Sequence, residues 1–334
     1  MREPLGHGAD GGRVERRGGG GVRGRAGGAG CRGRCLGPLH HGSDGGGSIR
    51  VPAAFCGGVG LKPTGRRVPR RRWGAGIAQF EADGALARTV EDAALMVAAM
   101  RGGDARGPGR RPRGVLPGAG ATAAAGGLRG LTVSAPPSLA ADEVRAGVAK
   151  AVDALRRAGA AVTDEMPDMP EPSEALGIVS AAGAVVEYGR LAEAHESRLT
   201  DYVRRSLARG RGLTGADVAS AYADIDRVVR AMEGLFEGHD ALVLPTTATT
   251  APENLARVPQ GAGGAVNPWL ISTLHVSLAN LIQAPAVAIP TGLDRQRMPT
   301  SVQIVARPGD EATLLRCAVV VEEAVSGVGR PPLA

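Results

Sequence analysis

Hydrophobic positions along the chain follow two patterns, one typical of helices and one typical of buried strands. Residues 139–158 place an apolar side chain at every third or fourth position and end at Gly159, which predicts an amphipathic helix. Short apolar runs, two of them ended by proline, predict buried strands. These runs occupy residues 131–134, 160–163, 240–245, 286–290 and 302–306. Helices that alternate with buried strands favour the α/β fold class.

Residues 172–238 have a helical pattern, and their clearest apolar face repeats in steps of four and three residues. This face consists of Val218, Tyr222, Ile225, Val229, Met232 and Phe236. We interpret it as a stripe that faces the core, not as a groove for a cofactor or a partner. Two more helices are predicted from their capping residues. Thr89 caps a helix within residues 84–100, and Asp310 caps one that runs to about residue 325.

Composition limits the size and the character of the core. A chain of 334 residues is long enough for one large domain or two ordinary ones. Hydrophobic residues make up 43% of the chain but aromatic residues only 2%. The core therefore has to be built mainly from alanine, valine, leucine and isoleucine.

The net charge of +7 would favour nucleic acid or a membrane as a partner if it were spread over a folded surface. Instead, many of the arginines are concentrated in residues 1–35 and 66–72. Residues 1–35 are rich in glycine and arginine and have no apolar periodicity, so we expect this segment to be disordered. Such a tail could contact RNA phosphates weakly. Because it lacks interleaved aromatic residues, a nucleic-acid partner is not expected.

The cysteines and the apolar runs indicate no disulfide framework, metal site or membrane anchor. Four cysteines do not form a disulfide framework in a chain of this length. Cys31 and Cys35 have the spacing of half a metal site, but no second cysteine or histidine pair follows them at ligand spacing. No apolar run reaches the length of a membrane span, and no apolar core follows the first arginines. We therefore expect a cytoplasmic protein with no membrane partner and no metal.

Residues 42–65 are the most informative segment for function, because Ser48 follows three glycines there and precedes an extended apolar run. Residues without Cβ allow a sharp turn and bring backbone N–H groups close to a reacting atom. This arrangement is typical of a serine nucleophile that lies in its own oxyanion hole. Ser48 is thus the candidate nucleophile, and the N–H groups of Gly45, Gly46, Gly47 and Ser48 are the candidate oxyanion donors. A glycine-rich linker would not continue in this fixed order of residues.

The segment G-S-D-G-G-G-S-I-R-V-P-A-A-F-C-G-G-V-G-L-K-P-T-G closely resembles the signature of the amidase signature family. Within its first half it departs from that signature only at Gly45. The resemblance covers about residues 36–328. It implies the amidase signature fold, with a mixed central sheet covered by helices on both faces. Residues 36–334 would then form the C-terminal two thirds of the family domain, and the N-terminal portion would be incomplete.

The resemblance also implies an activity, which is hydrolysis of the C–N bond of a small-molecule carboxamide through an acyl-enzyme on Ser48. Ser43, Asp44 and Arg50 match supporting residues beside the nucleophile. For Asp44 and Arg50, an internal ion pair that holds the loop is at least an equal interpretation. No metal or organic cofactor is implied, and a homodimer is one alternative for the oligomeric state.

Two members of the catalytic triad of that family have no match in this chain. In the family, the nucleophile passes its proton to a second serine, held by a cis peptide, and on to a neutral buried lysine. Both lie upstream of the signature, yet no serine precedes Ser43, and the only lysines are Lys62 and Lys150. We interpret Lys62 as structural and Lys150 as solvated. Hydrolysis by this chain is therefore expected to be severely impaired.

A histidine could replace the missing base, since unrelated triads use one. The candidates are His7, His40, His41, His195, His239 and His275. His195 and His239 are expected to be solvated. A different hypothesis is that residues 1–35 result from a frameshift or a misassigned start, because a GC-rich gene read out of frame encodes mainly glycine, arginine, alanine and proline.

Three functions remain open at this point. The first is an amidase. The second is the glutaminase subunit of a tRNA-dependent amidotransferase, which shares the signature. It ranks second because G-R-R-V-P-R-R-R-W-G-A-G follows the signature here, where that subunit usually has Y-G-R-V-S-R-Y-G-L. The third is a non-enzymatic protein that binds RNA through its basic tail.

Overall fold

The computed structural model describes residues 39–69, 76–100, 128–252 and 275–325. The segment 1–35, expected to be disordered, lies outside these described residues, as do Cys31 and Cys35. Within the described ranges there are eight strands. They are β1 (Leu39–Asp44), β2 (Val59–Lys62), β3 (Ala82–Ala87), β4 (Thr132–Ser134), β5 (Ala161–Thr163), β6 (Ala241–Pro245), β7 (Ala286–Leu293) and β8 (Pro299–Ala306).

Eight α-helices accompany these strands in the described ranges, together with short 3₁₀ helices. The α-helices are α1 (Arg50–Cys56), α2 (Val90–Met100), α3 (Asp142–Arg157), α4 (Pro172–Ala194), α5 (Asp201–Gly212), α6 (Gly215–Gly238), α7 (Ser277–Leu281) and α8 (Glu311–Val325). A 3₁₀ helix at Gly76–Phe80 lies close to the glycine-rich segment.

The strands form one mixed sheet in the order β1-β3-β2-β7-β8-β6-β4-β5. Pairing is antiparallel from β1 to β6 and parallel from β6 through β4 to β5. One large apolar cluster joins the sheet to α2, α3 and α8, and a second joins it to α4, α6 and α7. The predicted α/β class, with helices on both faces of a mixed sheet, is confirmed.

The five strands predicted from apolar runs are all present. The helix that Thr89 was predicted to cap is also present, since α2 begins at Val90 and Thr89 Oγ1 accepts the Asp92 N–H at 3.1 Å. The strand β3 (Ala82–Ala87), which precedes this helix, was not predicted. The apolar run after Ser48 forms the helix α1. Pro52 fits there because the first turn of a helix needs no N–H at that position.

The buried face of α6 is shifted from the predicted one. The face consists of Ala221, Ile225, Val228, Met232, Leu235 and Phe236. Tyr222 is 41% exposed, and its hydroxyl accepts a hydrogen bond from Gln79 Nε2 in the 3₁₀ helix. Ala221, the residue before Tyr222, takes the core-facing position instead. The interpretation as a core stripe still holds for the rest of the face.

Among the described residues, one helix has the length and apolar composition that could cross a membrane, which is α4. Ala175, Leu176 and Val179 of α4 belong to the second apolar cluster, so part of this helix faces the protein core. Core helices of soluble proteins meet the same criteria, and this feature is weak evidence for a membrane span.

Candidate active site

The segment that carries Ser48 is a tight turn between β1 and α1, which we call the glycine loop (residues 45–49). Asp44, the last residue of β1, is completely buried and organises this loop. Its carboxylate accepts the backbone N–H groups of Gly47 at 2.8 Å, Ile49 at 3.2 Å and Arg50 at 3.4 Å. Gly47 has a φ of 105°, a conformation that L side chains rarely adopt. Ser48 is half-buried at the turn.

The hydrogen bonds of Asp44 change the expected set of oxyanion donors. The Gly47 N–H points to the Asp44 carboxylate and is not available to a substrate oxygen in this structure. Within the described part of the chain, no hydrogen bond engages the N–H groups of Gly45, Gly46 or Ser48. Those three N–H groups remain the candidate donors, and Gly47 contributes the shape of the turn.

Side chains from three other segments pack against the glycines and leave no room for larger residues. A Cβ on Gly47 would lie 2.5 Å from Val276 Cγ2, and a Cβ on Gly45 would lie 2.7 Å from Glu81 Cγ and 3.0 Å from Ile77 Cγ1. A Cβ on Gly46 would approach Leu176 Cδ2 to 3.4 Å. The glycine loop is thus enclosed mainly by apolar side chains.

Substitution of Gly47 by alanine is expected to destabilise the protein and to distort the loop. The clash with Val276 costs about 1–3 kcal/mol, and the positive φ adds about 1–3 kcal/mol. Urea denaturation measures the loss. Gly234→Ala is the matched control, because Gly234 lies inside α6 and a Cβ there meets nothing within 4 Å. Equal stability of the two variants would contradict the enclosed geometry.

Arg50, also completely buried, pairs with Asp44 through two hydrogen bonds. Arg50 Nε donates to Asp44 Oδ2 and Nη2 donates to Oδ1, both at 3.0 Å. The guanidinium also donates to Asn280 Oδ1 and, at 3.0 Å, to Gln303 Oε1. Burial alone would raise the pKa of the Asp44 carboxyl. The charge and hydrogen bonds of Arg50, with help from Lys62 and Asn280, outweigh burial and hold this pKa well below its usual range. The geometry is that of an internal ion pair.

Lys62, at the end of β2, is completely buried. It lies near enough to this ion pair for the charges of Arg50 and Asp44 to act on its amine. Its Nζ donates to the Pro63 carbonyl at 3.0 Å. Burial, and then the charge of Arg50, lower the pKa of Lys62 from 10.5 to about 7, although Asp44 and Glu311 act in the opposite direction. The two carboxylates already have arginine partners, since Asp44 pairs with Arg50 and Glu311 with Arg67. Lys62 is therefore the surplus cation, and the amine is readily neutral.

No base is hydrogen-bonded to Ser48 within the described part of the chain. Ser43 lies on β1 opposite Asp83, and His41 Nε2 lies 3.8 Å from an oxygen of Asp83. His275 Nε2 lies 2.9 Å from the Leu139 carbonyl. Burial lowers the pKa of His275, although its contact with the Leu139 carbonyl opposes this.

His239 differs from its expected solvated state. It is buried at the end of α6, with Nδ1 3.0 Å from the Leu235 carbonyl and Nε2 2.8 Å from Thr163 Oγ1. His195, by contrast, is exposed as expected, and His7 lies outside the described residues. No group of three or more potential metal ligands was found where the structure is described.

Asn280 and Gln303 were not singled out in the sequence. Each is completely buried, and each contacts Arg50. They lie more than two hundred residues from Arg50 along the chain. The only sequence signal for either was a polar residue inside an apolar run, in N-L-I-Q-A-P-A-V-A-I-P for Asn280 and in S-V-Q-I-V-A for Gln303.

Comparison with known proteins places this chain in a family. The model of the Amidase family matches residues 26–315, which is most of the chain. An acylamidase from Rhodococcus erythropolis is 32% identical over 294 residues, covering 86% of this chain and 61% of the relative. The A subunit of the glutamyl-tRNA(Gln) amidotransferase from Nitratidesulfovibrio vulgaris (strain DP4) is 32% identical over 345 residues, covering 93% and 68%. The chain thus spans only about two thirds of the length of these relatives.

The fold agrees with solved structures of amidases. The structure of 6-aminohexanoate cyclic dimer hydrolase aligns with a TM-score of 0.74 at 26% identity, over 90% of this chain and 67% of that one. A bacterial aryl acylamidase of the amidase signature family aligns with a TM-score of 0.73 at 23% identity, over 86% of this chain and 62% of that one. The chain belongs to the amidase family. Its mixed sheet has the fold of the amidase signature proteins.

Proposed function

We propose that this chain is an amidase in which Ser48 attacks the carbonyl carbon of a small carboxamide. The Ser48 Oγ–carbon bond forms, the C–N bond breaks, and the hydroxyl proton goes to the departing amine. Water then releases the carboxylic acid from the acyl-enzyme. The observation that carries this proposal is the position of Ser48 on a loop whose Gly45, Gly46 and Ser48 N–H groups have no partner among the described residues.

The side chains around the loop support a substrate with an apolar acyl group. Ile77, Leu176 and Val276 pack against the three glycines, and only the stem of Glu81 approaches from a charged residue. An apolar wall binds hydrocarbon or aryl groups through removal of apolar surface from water. No cofactor takes part in the proposed reaction.

We further propose that amide hydrolysis by residues 1–334 is slow. An amide nitrogen leaves only after it receives a proton, and general acid–base catalysis contributes about 10²–10⁴-fold. Lys62 has the lowered pKa that a base needs, but its Nζ donates to Pro63 and no hydrogen bond connects it to Ser48 in the described structure. The described residues therefore offer an oxyanion site and a nucleophile without a bonded base.

A second candidate function is the glutaminase component of a tRNA-dependent amidotransferase. It is favoured by the amidotransferase relatives, which match at the same identity as the acylamidase. Such a component would copurify with its partner proteins and release ammonia from glutamine. The apolar wall around the glycine loop favours the amidase instead.

A pair of matched substrates tests the amidase proposal. p-Nitrophenyl butyrate carries a leaving group that needs no proton, whereas the corresponding p-nitroanilide needs one. We expect acylation of Ser48 by the ester, seen as a mass increase of the intact protein, and anilide hydrolysis that is slower by about 10²–10⁴-fold. Ser48→Ala should abolish both reactions.

The control variant is Ser180→Ala, which removes a half-buried serine of α4 whose hydroxyl donates to the Leu176 carbonyl. It should react like the unmodified protein. An absence of any Ser48-dependent adduct would refute the nucleophile assignment. Ser48-dependent hydrolysis of the anilide at a rate close to that of the ester would refute only the slow-hydrolysis proposal, because it would require a working base.

A further inference from the structure

We propose that Asn280 is a positioning residue that holds the glycine loop in shape from the opposite side of the site. It lies in α7 and is completely buried. Asn280 Nδ2 donates to the Asp44 carbonyl at 2.8 Å, to Asp44 Oδ1 at 3.0 Å and to the Phe80 carbonyl at 3.3 Å. Its Oδ1 accepts from Arg50 Nη2. One side-chain amide thus joins β1, α1 and the 3₁₀ helix.

The partners of Asn280 require an amide and no other group of the same size. On one side lies a guanidinium, which can only donate, and on the other side lie two carbonyls and a carboxylate, which can only accept. A carboxylate at this position could still accept from Arg50. It would remove the donor that Asn280 offers to these three acceptors and would place a second negative charge next to Asp44.

Asn280 acts on the loop through Asp44, whose carboxylate is the acceptor for the Gly47, Ile49 and Arg50 N–H groups. The segment around it reinforces the same arrangement. Val276 closes against Gly47, and Gln283 Nε2 donates to the Gln79 carbonyl in the 3₁₀ helix that carries Ile77. The segment 276–283 therefore clamps both the loop and its apolar wall.

Gln303, in β8, supports segment 276–283. Its Oε1 accepts from Arg50 Nη1, and its Nε2 donates to the carbonyl of His275, the residue before Val276, at 2.6 Å. The shape of the loop is thus determined by a closed set of contacts. The set runs from Asp44 to Arg50, from Arg50 to Gln303, and from Gln303 to the His275 carbonyl beside segment 276–283. Asn280, in that segment, closes the set by donating to Asp44. The consequence for catalysis rests on the proposed function of Ser48, whereas the consequence for the loop does not.

The test is site-resolved amide hydrogen exchange on the full chain with the nearly isosteric variant Asn280→Asp. We expect the N–H groups of Gly47, Ile49 and Arg50 to exchange at least about tenfold faster, since loss of a hydrogen bond to a charged group changes an opening equilibrium by at least that factor. Leu155→Ala is the control for general destabilisation. Leu155 is buried in the cluster with α2, α3 and α8, on the other face of the sheet.

Exchange is compared with the N–H groups of β8 in each variant, so that a uniform loss of stability cancels. A rise confined to the loop in Asn280→Asp, and absent in Leu155→Ala, supports the positioning role. Loop exchange that rises no more than β8 exchange overturns it. The reaction of Ser48 with an alkyl fluorophosphonate, measured in parallel, should slow in Asn280→Asp. If the unmodified protein is not labelled at all but the exchange result holds, the proposed function fails and the role of Asn280 in the loop stands.

Discussion

Substitution of Asp44 by alanine is expected to lower the free energy of unfolding by about 3–5 kcal/mol, because it leaves a buried charge without its partner. Arg50 is completely buried, and Asp44 is the only carboxylate with which it forms an ion pair in the described residues. The substitution also removes the acceptor of the Gly47, Ile49 and Arg50 N–H groups. Urea denaturation at neutral pH measures the loss, and labelling of Ser48 should be lost with it.

A double variant distinguishes the effect of the unpaired charge from the effect of the lost hydrogen bonds in the glycine loop. Asp44→Leu with Arg50→Met leaves no unpaired charge, so it should be less destabilised than the sum of the two single variants. Asp153→Ala is the control for an ordinary ion pair, because Asp153 lies 3.5 Å from Arg156 and both side chains are more than half exposed. Its stability should be close to that of the unmodified protein. If Asp44→Ala behaved in the same way, the buried pair would not organise the loop.

Elements fixed by neighbouring residues were predictable from the sequence. The cap at Thr89 formed as predicted, and Asp310 accepts the Thr313 N–H at 3.0 Å at the start of α8. Short apolar runs identified β4 to β8. For β6 and β8 the reason is that a strand buried on both faces needs no polar alternation. In each case the capping residue or apolar run that predicts an element lies within that element or next to it in the sequence.

Features that depend on the assembled sheet were not predictable. Val228 is buried and Val229 only partly buried against the same cluster, and this difference depends on how α6 is oriented in the assembled protein. The strand β3 was missed because A-D-G-A-L-A-R-T-V runs directly into α2, and alanine is compatible with both states. The contact of a Cβ on Gly84 with the Leu61 carbonyl, 2.2 Å away, becomes visible only once β2 and β3 are paired.

The sequence predicted the residues of the motif but not the hydrogen bonds that connect them. The signature identified Ser48, Asp44 and Arg50, but not which N–H groups face the substrate. That depends on the turn, in which Asp44 takes the Gly47 N–H. Asn280 and Gln303 reach Arg50 across more than two hundred residues, so no spacing rule could indicate them. The motif indicates a structural role for Lys62, and its unusual pKa arises from burial, and then from the charge of Arg50, both of which only the folded chain produces.

Lys62 leads to the second large effect, which is a change in the pH dependence of stability. Its pKa is about 7 in the folded protein and 10.5 as an ordinary lysine. Between these values the unfolded chain binds the proton and the folded chain does not. The contribution of this group to stability therefore rises with pH, by about 1.4 kcal/mol per pH unit. Below about pH 7 the folded protein holds a surplus buried cation, and the full penalty remains.

Lys62→Met removes this penalty and fills the same space with an apolar chain of similar length. We expect the variant to be more stable than the unmodified protein at and below neutral pH, and the difference to shrink steadily as the pH rises towards 10.5. Urea denaturation at several pH values from about 6 to 9.5 measures this difference.

Lys150→Met is the matched control, since Lys150 is the only other lysine and lies exposed on α3. Its curve should run parallel to that of the unmodified protein. A parallel curve for Lys62→Met as well would mean that Lys62 keeps its proton in the folded state and serves as a counter-ion to Asp44 and Glu311. A converging curve would mean that Arg50 and Arg67 alone balance the two carboxylates, and that burial keeps the Lys62 amine neutral in the folded protein above about pH 7.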